Sequence, residues 1–299
     1  MNVLVTGGAG FIGSHIAEYF ANEGHKVRIL DNLETGSLKN IPSHKNVEFF
    51  KGDIRDKQTV SKALLGIDYV FHEAALVSVP LSCEYPAEAF RINTLGTLNV
   101  LQASVTAGVE KFVTASSAAI YGKNPTIPKK ESMYPEPVSP YAISKLDTEY
   151  LARMFYEEQG LRTTCLRYFN VYGQRQDPKS PYAAVIPIFC EQAKAGKDLI
   201  IYGDGKQTRD FVNVRDVVQA NIKALEEGDG DFFNVAMGKS VTIQKLAELI
   251  IEATDSASKI VHAKPRAGDV RDSKADVSKI SSWWRGKIEL EEGLLDLLE

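Results

Sequence analysis

Cysteine is scarce in this chain. Cys83, Cys165 and Cys190 are the only three in 299 residues, far apart and odd in number. That argues against a disulfide framework and against the paired spacing of a zinc site. They read as buried free thiols in a reducing compartment, so a cytoplasmic setting and no metal are expected. Neither charge sign prevails. With 35 Lys and Arg against 39 Asp and Glu, the net charge is -4, which points away from nucleic acid or an anionic membrane as partner. No apolar run reaches bilayer-spanning length. The opening "MNVLVTGGAGFIG" lacks a basic leader and reads as a first strand rather than a signal peptide. No internal repeat, low-complexity tract or long charge run is evident.

What remains is an ordinary globular composition, 44% hydrophobic and 25% charged. The length suits one large domain or two moderate ones. Short apolar runs predict strands at 2–6, 26–30, 47–52, 68–74, 111–116 and 162–169. Helical spacing predicts helices near 12–23, 56–65, 86–108 and 140–159. Strands separated by helices imply an α/β fold with a doubly wound parallel sheet. After residue 170 the rhythm changes. Pro178, Pro181 and Pro187 cluster, and then come "LIIYGDG", a helix near 214–226, the strand-like "FFNVA", and helices near 242–253 and 289–298. This half reads as a smaller lobe.

"VTGGAGFIG" follows the first strand and opens the first helix. Gly8, Gly10 and Gly13 match G-x-G-x-x-G; Gly7, Gly10 and Gly13 match the looser T-G-x-x-G-x-x-G. Glycines there permit a tight turn and close approach of backbone to a pyrophosphate seated on the helix N-terminus. Asp31 ends the second strand, 18 residues past Gly13. Its carboxylate suits ribose hydroxyls and repels a 2′-phosphate, favouring NAD over NADP. The competing reading of Asp31 is a turn residue in "LDNLETG".

In "SPYAISKLDTEYLARMFYEEQG", Tyr141 and Lys145 lie four apart on one helix face. They follow the fifth strand, whose end "ASSAAIYG" carries Ser116 and Ser117. Substrates of such sheets bind outside the carboxyl ends of the strands. A hydroxyl, a phenol and an ammonium meeting there form a base site. The ammonium and the positive nicotinamide of the oxidised cofactor are expected to lower the phenol pKa.

Together these residues resemble the extended short-chain dehydrogenase/reductases, essentially end to end. Within them the chain is similar to the UDP-hexose 4-epimerases, and "QRQDPKSPYAAVIP" resembles the branch that accepts UDP-N-acetylglucosamine. The resemblance implies a Rossmann NAD-binding domain over 1–170, rejoined by about 214–236, and a UDP-sugar-binding lobe over 171–299. It assigns the cofactor to Gly7, Gly10, Phe11, Ile12, Gly13, Asp31, Asn32, Asp53, Ile54, Ala74, Ala75, Leu76, Asn93, Tyr168 and Phe169, with Tyr141 and Lys145. Ser117, Tyr141 and Lys145 form the catalytic set. The UDP-sugar falls to Ser117, Tyr141, Asn170, Val185, Tyr202, Arg209, Arg266, Asp269 and Ser273. Ser273 stands where a bulky tyrosine would exclude an N-acetyl group, so plain and acetylated sugars should both fit. Ala115 replaces a third serine, and Val77 replaces a lysine beside the cofactor.

The implied activity is 4-epimerisation through a transient 4-keto sugar. Nucleotide-sugar dehydratases and decarboxylases share the first oxidation, but dehydratases carry acid–base groups where this chain has Ala118 and Ala119. A UDP-glucuronate 4-epimerase passes that test. A non-catalytic dinucleotide sensor would tend to lose the Tyr-Lys pair. The resemblance also implies a homodimer through helices 86–108 and 140–159, with Leu95, Leu98, Leu101 and Val105 as its apolar seam, unless that stripe packs on the sheet.

Overall fold

The computed structural model describes residues 1–178, 183–265 and 270–298. Thirteen strands are assigned among them: β1 (Asn2–Thr6), β2 (Lys26–Asp31), β3 (Val47–Lys51), β4 (Tyr69–His72), β5 (Lys111–Ser117), β6 (Arg162–Tyr168), β7 (Asn170–Tyr172), β8 (Leu199–Tyr202), β9 (Thr208–Arg209), β10 (Phe211–Asn213), β11 (Asp231–Val235), β12 (Val241–Thr242) and β13 (Ile260–Ala263). The α-helices are α1 (Phe11–Asn22), α2 (Lys57–Ala63), α3 (Val79–Glu84), α4 (Pro86–Phe90), α5 (Gly96–Ala107), α6 (Pro140–Gln159), α7 (Val185–Lys194), α8 (Val214–Lys223), α9 (Ile243–Ala253) and α10 (Leu290–Leu298).

The chain divides into two compact units. One is Met1–Gly122, Tyr134–Tyr168 and Val217–Phe233; the other is Lys123–Met133, Phe169–Asp216 and Asn234–Glu299. The first is built on a seven-stranded sheet of order β11-β6-β5-β4-β1-β2-β3. Strands β1 to β6 pair in parallel throughout. Side chains alternate across the sheet. Leu4, Leu30, Val70 and Phe112 face a core shared with α2, α5 and α6, while on the opposite face Phe71 meets Phe20 of α1 with ring centroids 5.1 Å apart. Both faces are thus covered, as a parallel sheet requires. The strand order reverses between β1 and β4, the switch point at which doubly wound sheets take their ligands.

α6 matches its predicted span. Ser139 caps it, accepting from Ala142 N at 3.2 Å, Pro140 opens the first turn, and Gly160 closes it in the left-handed region at φ 69°. The single helix expected over 86–108 is instead α4, a π-helical turn at Arg91–Leu95, and α5. The predicted seam is also corrected. Leu101 is fully buried, and Leu98 and Val105 pack against the same core, so these three face inward and only Leu95 of the stripe is left exposed. Exposed apolar side chains of this region include Leu95, Ile143, Tyr150, Met154 and Tyr156.

In the second unit, α7, α9 and α10 enclose a separate core of Ile186, Phe189, Leu199, Ile201, Phe211, Leu246, Ile250 and Leu294. Two-stranded pairings β10–β7, β12–β9 and β13–β8 support it. α7 lay hidden in the sequence behind neighbouring prolines. Pro187 sits in its first turn, where the missing N–H is harmless. Cys165 and Cys190 are buried free thiols, but Cys83 is exposed, contrary to expectation. Among the described residues, no helix is long and apolar enough to cross a membrane, and no group of three His, Cys, Asp or Glu residues could hold a metal ion.

Candidate active site

The glycine loop joins β1 to α1. Gly7 has φ +69°, and a Cβ there would lie 2.7 Å from the backbone nitrogen of Ala74. A Cβ on Gly13 would run into the Gly7 carbonyl oxygen. These positions admit only glycine, and they leave the loop folded tightly on itself, with Gly10 N donating to Gly7 O at 3.0 Å. Phe11 and Ile12, both half-buried, open α1 behind it.

Asp31 is 8% exposed at the end of β2. Its Oδ2 accepts from Ala9 N at 3.0 Å and its Oδ1 from Leu33 N at 2.8 Å. The two readings of this residue are therefore compatible. It forms the turn, and a carboxylate with about four acceptor sites still has capacity for ribose hydroxyls. Asn32 donates to Asp53 Oδ2 at 2.9 Å. Arg55 binds Asp53 at both oxygens and, with that guanidinium as the main cause, holds its carboxyl down at about 2. Ile54 is buried against the α5 residue Gly96. Asp31, Asn32 and Asp53 thus form one polar rim at the carboxyl ends of β2 and β3.

Ala74, Ala75 and Leu76 leave β4 as a half-buried segment. Asn93, from the π-turn, clamps it. Its Oδ1 accepts from Leu76 N at 2.7 Å, and its Nδ2 donates to Leu76 O at 3.0 Å and to Ser144 Oγ of α6 at 2.9 Å. π-turns often mark functional sites. Here the extra residue aims one buried amide at both the cofactor-side loop and the helix bearing Tyr141.

Ser117 is the last residue of β5, and its Oγ accepts from Ala119 N at 3.1 Å. Tyr141 stands in the first turn of α6, its backbone N donating to Ser82 Oγ at 3.1 Å. Ser117 lies close enough to its phenol to favour the phenolate. Lys145 is buried one turn on and donates from Nζ to Ala115 O at 2.9 Å. The expected depression of the phenol pKa is not what the protein alone produces. Burial pushes Tyr141 above its ordinary value; the nearby Ser117 hydroxyl opposes this and the charge of Glu73 adds to it. Burial likewise lowers Lys145 to about 8.

Behind this trio lies a network that motif reading passes over. Arg167 forks onto Glu149 of α6 with both bonds at 2.7 Å, and donates to Tyr121 OH at 2.9 Å. Ser116 donates to the same carboxylate at 2.5 Å. Glu73 was also missed. It accepts from Tyr168 OH at 2.9 Å. Its only signal was a carboxylate in "HEAALVSVP" just past a strand end.

The second unit carries the remaining candidates. Phe169 is buried, with its N donating to Val235 O at 3.1 Å. Asn170 N donates to Asp210 O at 3.1 Å. Val185 opens α7 and packs on the second core. Tyr202, 38% exposed, ends β8. Arg209 Nη1 donates to the carbonyls of Thr208 at 2.8 Å and Val270 at 2.7 Å. Ser273 N donates to Thr208 O at 3.2 Å, which sets it beside the Arg209 strand. Arg266 and Asp269 lie outside the described residues.

The loop, the acidic rim and the Asn93 clamp fit a dinucleotide. The glycines deny side chains to the space a pyrophosphate needs, and the rim offers only acceptors and amides to a ribose. Comparison with known proteins agrees. Residues 3–236 match the model of the NAD dependent epimerase/dehydratase family. The fold superposes on UDP-glucose 4-epimerase of Thermotoga maritima, solved with UDP-glucose, with TM-score 0.96 and 42% identity over 100% of this chain and 97% of that one. It also superposes on UDP-N-acetylglucosamine 4-epimerase of Methanobrevibacter ruminantium, in complex with UDP-N-acetylmuramic acid, with TM-score 0.96 and 41% identity over 99% and 96%. A UDP-N-acetyl-alpha-D-glucosaminuronate decarboxylase of Bacillus cytotoxicus is 37% identical over 99% of this chain and 96% of its own length. With its strand order, glycine loop and Ser-Tyr-Lys cluster so arranged, the chain belongs to the NAD-dependent epimerase/dehydratase family.

Proposed function

We propose that the protein is a UDP-hexose 4-epimerase acting on UDP-N-acetylglucosamine/UDP-N-acetylgalactosamine and on UDP-glucose/UDP-galactose. The observation that carries this reading is the convergence of Ser117, Tyr141 and buried Lys145 at the carboxyl end of β5, with Lys145 Nζ held on the Ala115 carbonyl. The end-to-end similarity to two UDP-sugar 4-epimerases supports it.

NAD, when bound, supplies a reversible hydride acceptor, so none is consumed over a cycle. Gly7, Gly10, Phe11, Ile12 and Gly13 would hold its pyrophosphate end; Asp31, Asn32, Asp53 and Ile54 its adenosine; Ala74, Ala75, Leu76, Asn93, Tyr168 and Phe169 the rest. Tyr141 removes the proton from the sugar 4-hydroxyl and later returns it to the 4-oxygen once the other face of C4 has been reduced. Ser117 positions that hydroxyl beside the phenol. Lys145 supplies positive charge that favours the phenolate as it forms. The 4-keto sugar turns over between the two proton transfers, which inverts C4. Asn170, Val185, Tyr202, Arg209, Arg266, Asp269 and Ser273 are proposed to hold the UDP-sugar, the arginines through guanidinium forks on the diphosphate.

A second reading, action on a UDP-uronate, is favoured by the similarity to a decarboxylase. That chemistry shares the C4 oxidation. Dehydration is disfavoured, because Ala118 and Ala119 directly after Ser117 cannot transfer protons. Incubating the purified protein separately with UDP-glucose, UDP-N-acetylglucosamine and UDP-glucuronate tests the choice. C4 epimers from the first two are expected; turnover of UDP-glucuronate alone would overturn the proposal. We also propose a cytoplasmic homodimer built on α5 and α6 through exposed Leu95, Ile143, Tyr150 and Met154. Sedimentation as a monomer at micromolar concentration would rule the dimer out.

A further inference from the structure

Tyr141 stands in the first turn of α6, where a helix has no internal partners for its N–H groups. Such donors must be met from outside the helix when buried. Pro140 has no N–H. Ala142 N donates to the Ser139 side chain at 3.2 Å, and Ile143 N to the Ser139 carbonyl at 3.0 Å. The Tyr141 N–H reaches outside its own helix. It donates at 3.1 Å to Ser82 Oγ of α3, 59 positions earlier in the chain. Ser82 is fully buried. Its own proton is turned onto Val79 O at 2.7 Å, which leaves the lone pairs of the oxygen for Tyr141. α3 is itself held, with Ser78 Oγ accepting from Leu81 N at 3.1 Å and Ser82 N donating to Ser78 O at 2.9 Å. The carbonyl of Tyr141 is also engaged. It accepts from Ser144 Oγ at 2.8 Å, and that hydroxyl accepts from Asn93, the clamp of Leu76.

We infer that Ser82 is a positioning residue for Tyr141: by accepting its backbone N–H from α3, it fixes where the phenol stands relative to the segment that leaves β4. This deepens the proposed function and rests on its assignment of Tyr141 as the base. Ala74, Ala75 and Leu76, proposed to line the cofactor, lie on that same segment, and Tyr141 lies on a helix remote from it in sequence. Ser82 joins the two directly. A base must come within about 2.6–3.2 Å of the proton it takes, and a misplacement of about 1 Å can cost about 10²-fold in rate. The rest of α6 is secured by other means. Lys145 is tied to Ala115 O at 2.9 Å, and Glu149 to Ser116 and Arg167. Loss of the Ser82 hydroxyl therefore acts on the first turn, where Tyr141 is, and spares the turns beyond it.

Ser82→Ala removes the acceptor and little volume. Protein loaded with NAD and carrying tyrosine labelled with 15N and with 13C at Cζ reports both ends of Tyr141 by NMR, its signals assigned by their loss in Tyr141→Phe. In Ser82→Ala the Tyr141 amide should exchange with solvent about 10-fold faster or more, while the amides of Tyr150 and Tyr156 in the same helix keep their wild-type rates. The Tyr141 Cζ resonance should move, because the phenol leaves its setting beside Ser117 and Lys145. With UDP-glucose, kcat should fall by about 10-fold or more while KM and NAD affinity stay within about 2-fold. In a Tyr141→Phe background the same change should cost kcat nothing further, since the hydroxyl that Ser82 positions is already gone. Ser82→Cys, which keeps a weak acceptor, should lie between wild type and Ser82→Ala in each reading.

A faster Tyr141 amide with an unmoved phenol resonance would overturn the inference, because Ser82 would then cap the helix and nothing more. Equal losses of kcat in the wild-type and Tyr141→Phe backgrounds would overturn it too, as would a loss confined to KM. Should Ser82→Ala fail to fold, an unmoved phenol resonance in Ser82→Cys decides against it instead. The NMR readings need no turnover, so their failure is distinguishable from failure of the epimerase reading, which would show as wild-type protein that forms no C4 epimer.

Discussion

Glu149→Ala tests the frame behind Ser117, Tyr141 and Lys145. Arg167 and Glu149 are 1% and 2% exposed as side chains, and their fork closes with two bonds at 2.7 Å. The guanidinium also lies 4.0 Å from the centroid of the Phe232 ring. Ser116 adds a third bond to the carboxylate. Deleting the carboxylate leaves a buried cation with only Tyr121 and an aromatic face, and it orphans the Ser116 hydroxyl. Removing one partner of a buried ion pair costs about 3–5 kcal/mol. For a chain of this length the unfolding entropy is about 0.6 kcal/mol/K, so Tm should fall by about 5–8 °C. The contrast is Glu149→Leu combined with Arg167→Met, which removes both charges and should be near neutral or stabilising. Reversible urea unfolding followed by circular dichroism measures both variants. A loss below about 1 kcal/mol in Glu149→Ala would refute the argument, because the fork would then not be desolvated as its burial indicates.

Three further outcomes follow from the site. Tyr141→Phe should keep its fold and NAD affinity, since only a hydroxyl goes, while kcat falls by about 10² to 10⁴; turnover within a few-fold of wild type would remove Tyr141 as the base. Asp31→Ala should weaken NAD binding and relax discrimination against NADP, measured by titration with both dinucleotides. An unchanged affinity ratio would leave Asp31 as the turn residue its Leu33 bond already makes it. Ser273→Tyr should abolish turnover of UDP-N-acetylglucosamine and spare UDP-glucose, by steric exclusion; equal loss on both sugars would show that this position does not gate the C2 substituent.

Periodicity was a good guide where burial is one-sided or capped. α6 was legible because Ser139, Pro140 and Gly160 punctuate it. The six leading strands were legible because both sheet faces are covered, which makes each strand a continuous apolar run. The leucine stripe of 86–108 was legible as apolar, but its partner was not. Spacing identifies a face of the helix and says nothing of what it meets. The π-turn at Arg91–Leu95 was equally silent, since "RINTL" carries no composition that distinguishes it from an α-turn. Nor could motif spacing show that Asn93 binds both ends of the Leu76 peptide.

The sequence by itself determined the strand–helix alternation, the glycines demanded by the β1–α1 turn, and the placing of Tyr141 and Lys145 on one helical face. These are local matters, decided by backbone sterics and by residues within a few positions of one another. The balance of charge at the site was decided only in three dimensions. Glu73 meets Tyr168 across 95 positions of chain and Asn221 meets Tyr168 across 53. Burial, outweighing the neighbours that oppose it, raises the Glu73 carboxyl to about 7 and lowers the Lys145 ammonium to about 8. Desolvation depends on everything packed around a group, and no stretch of sequence contains its own surroundings.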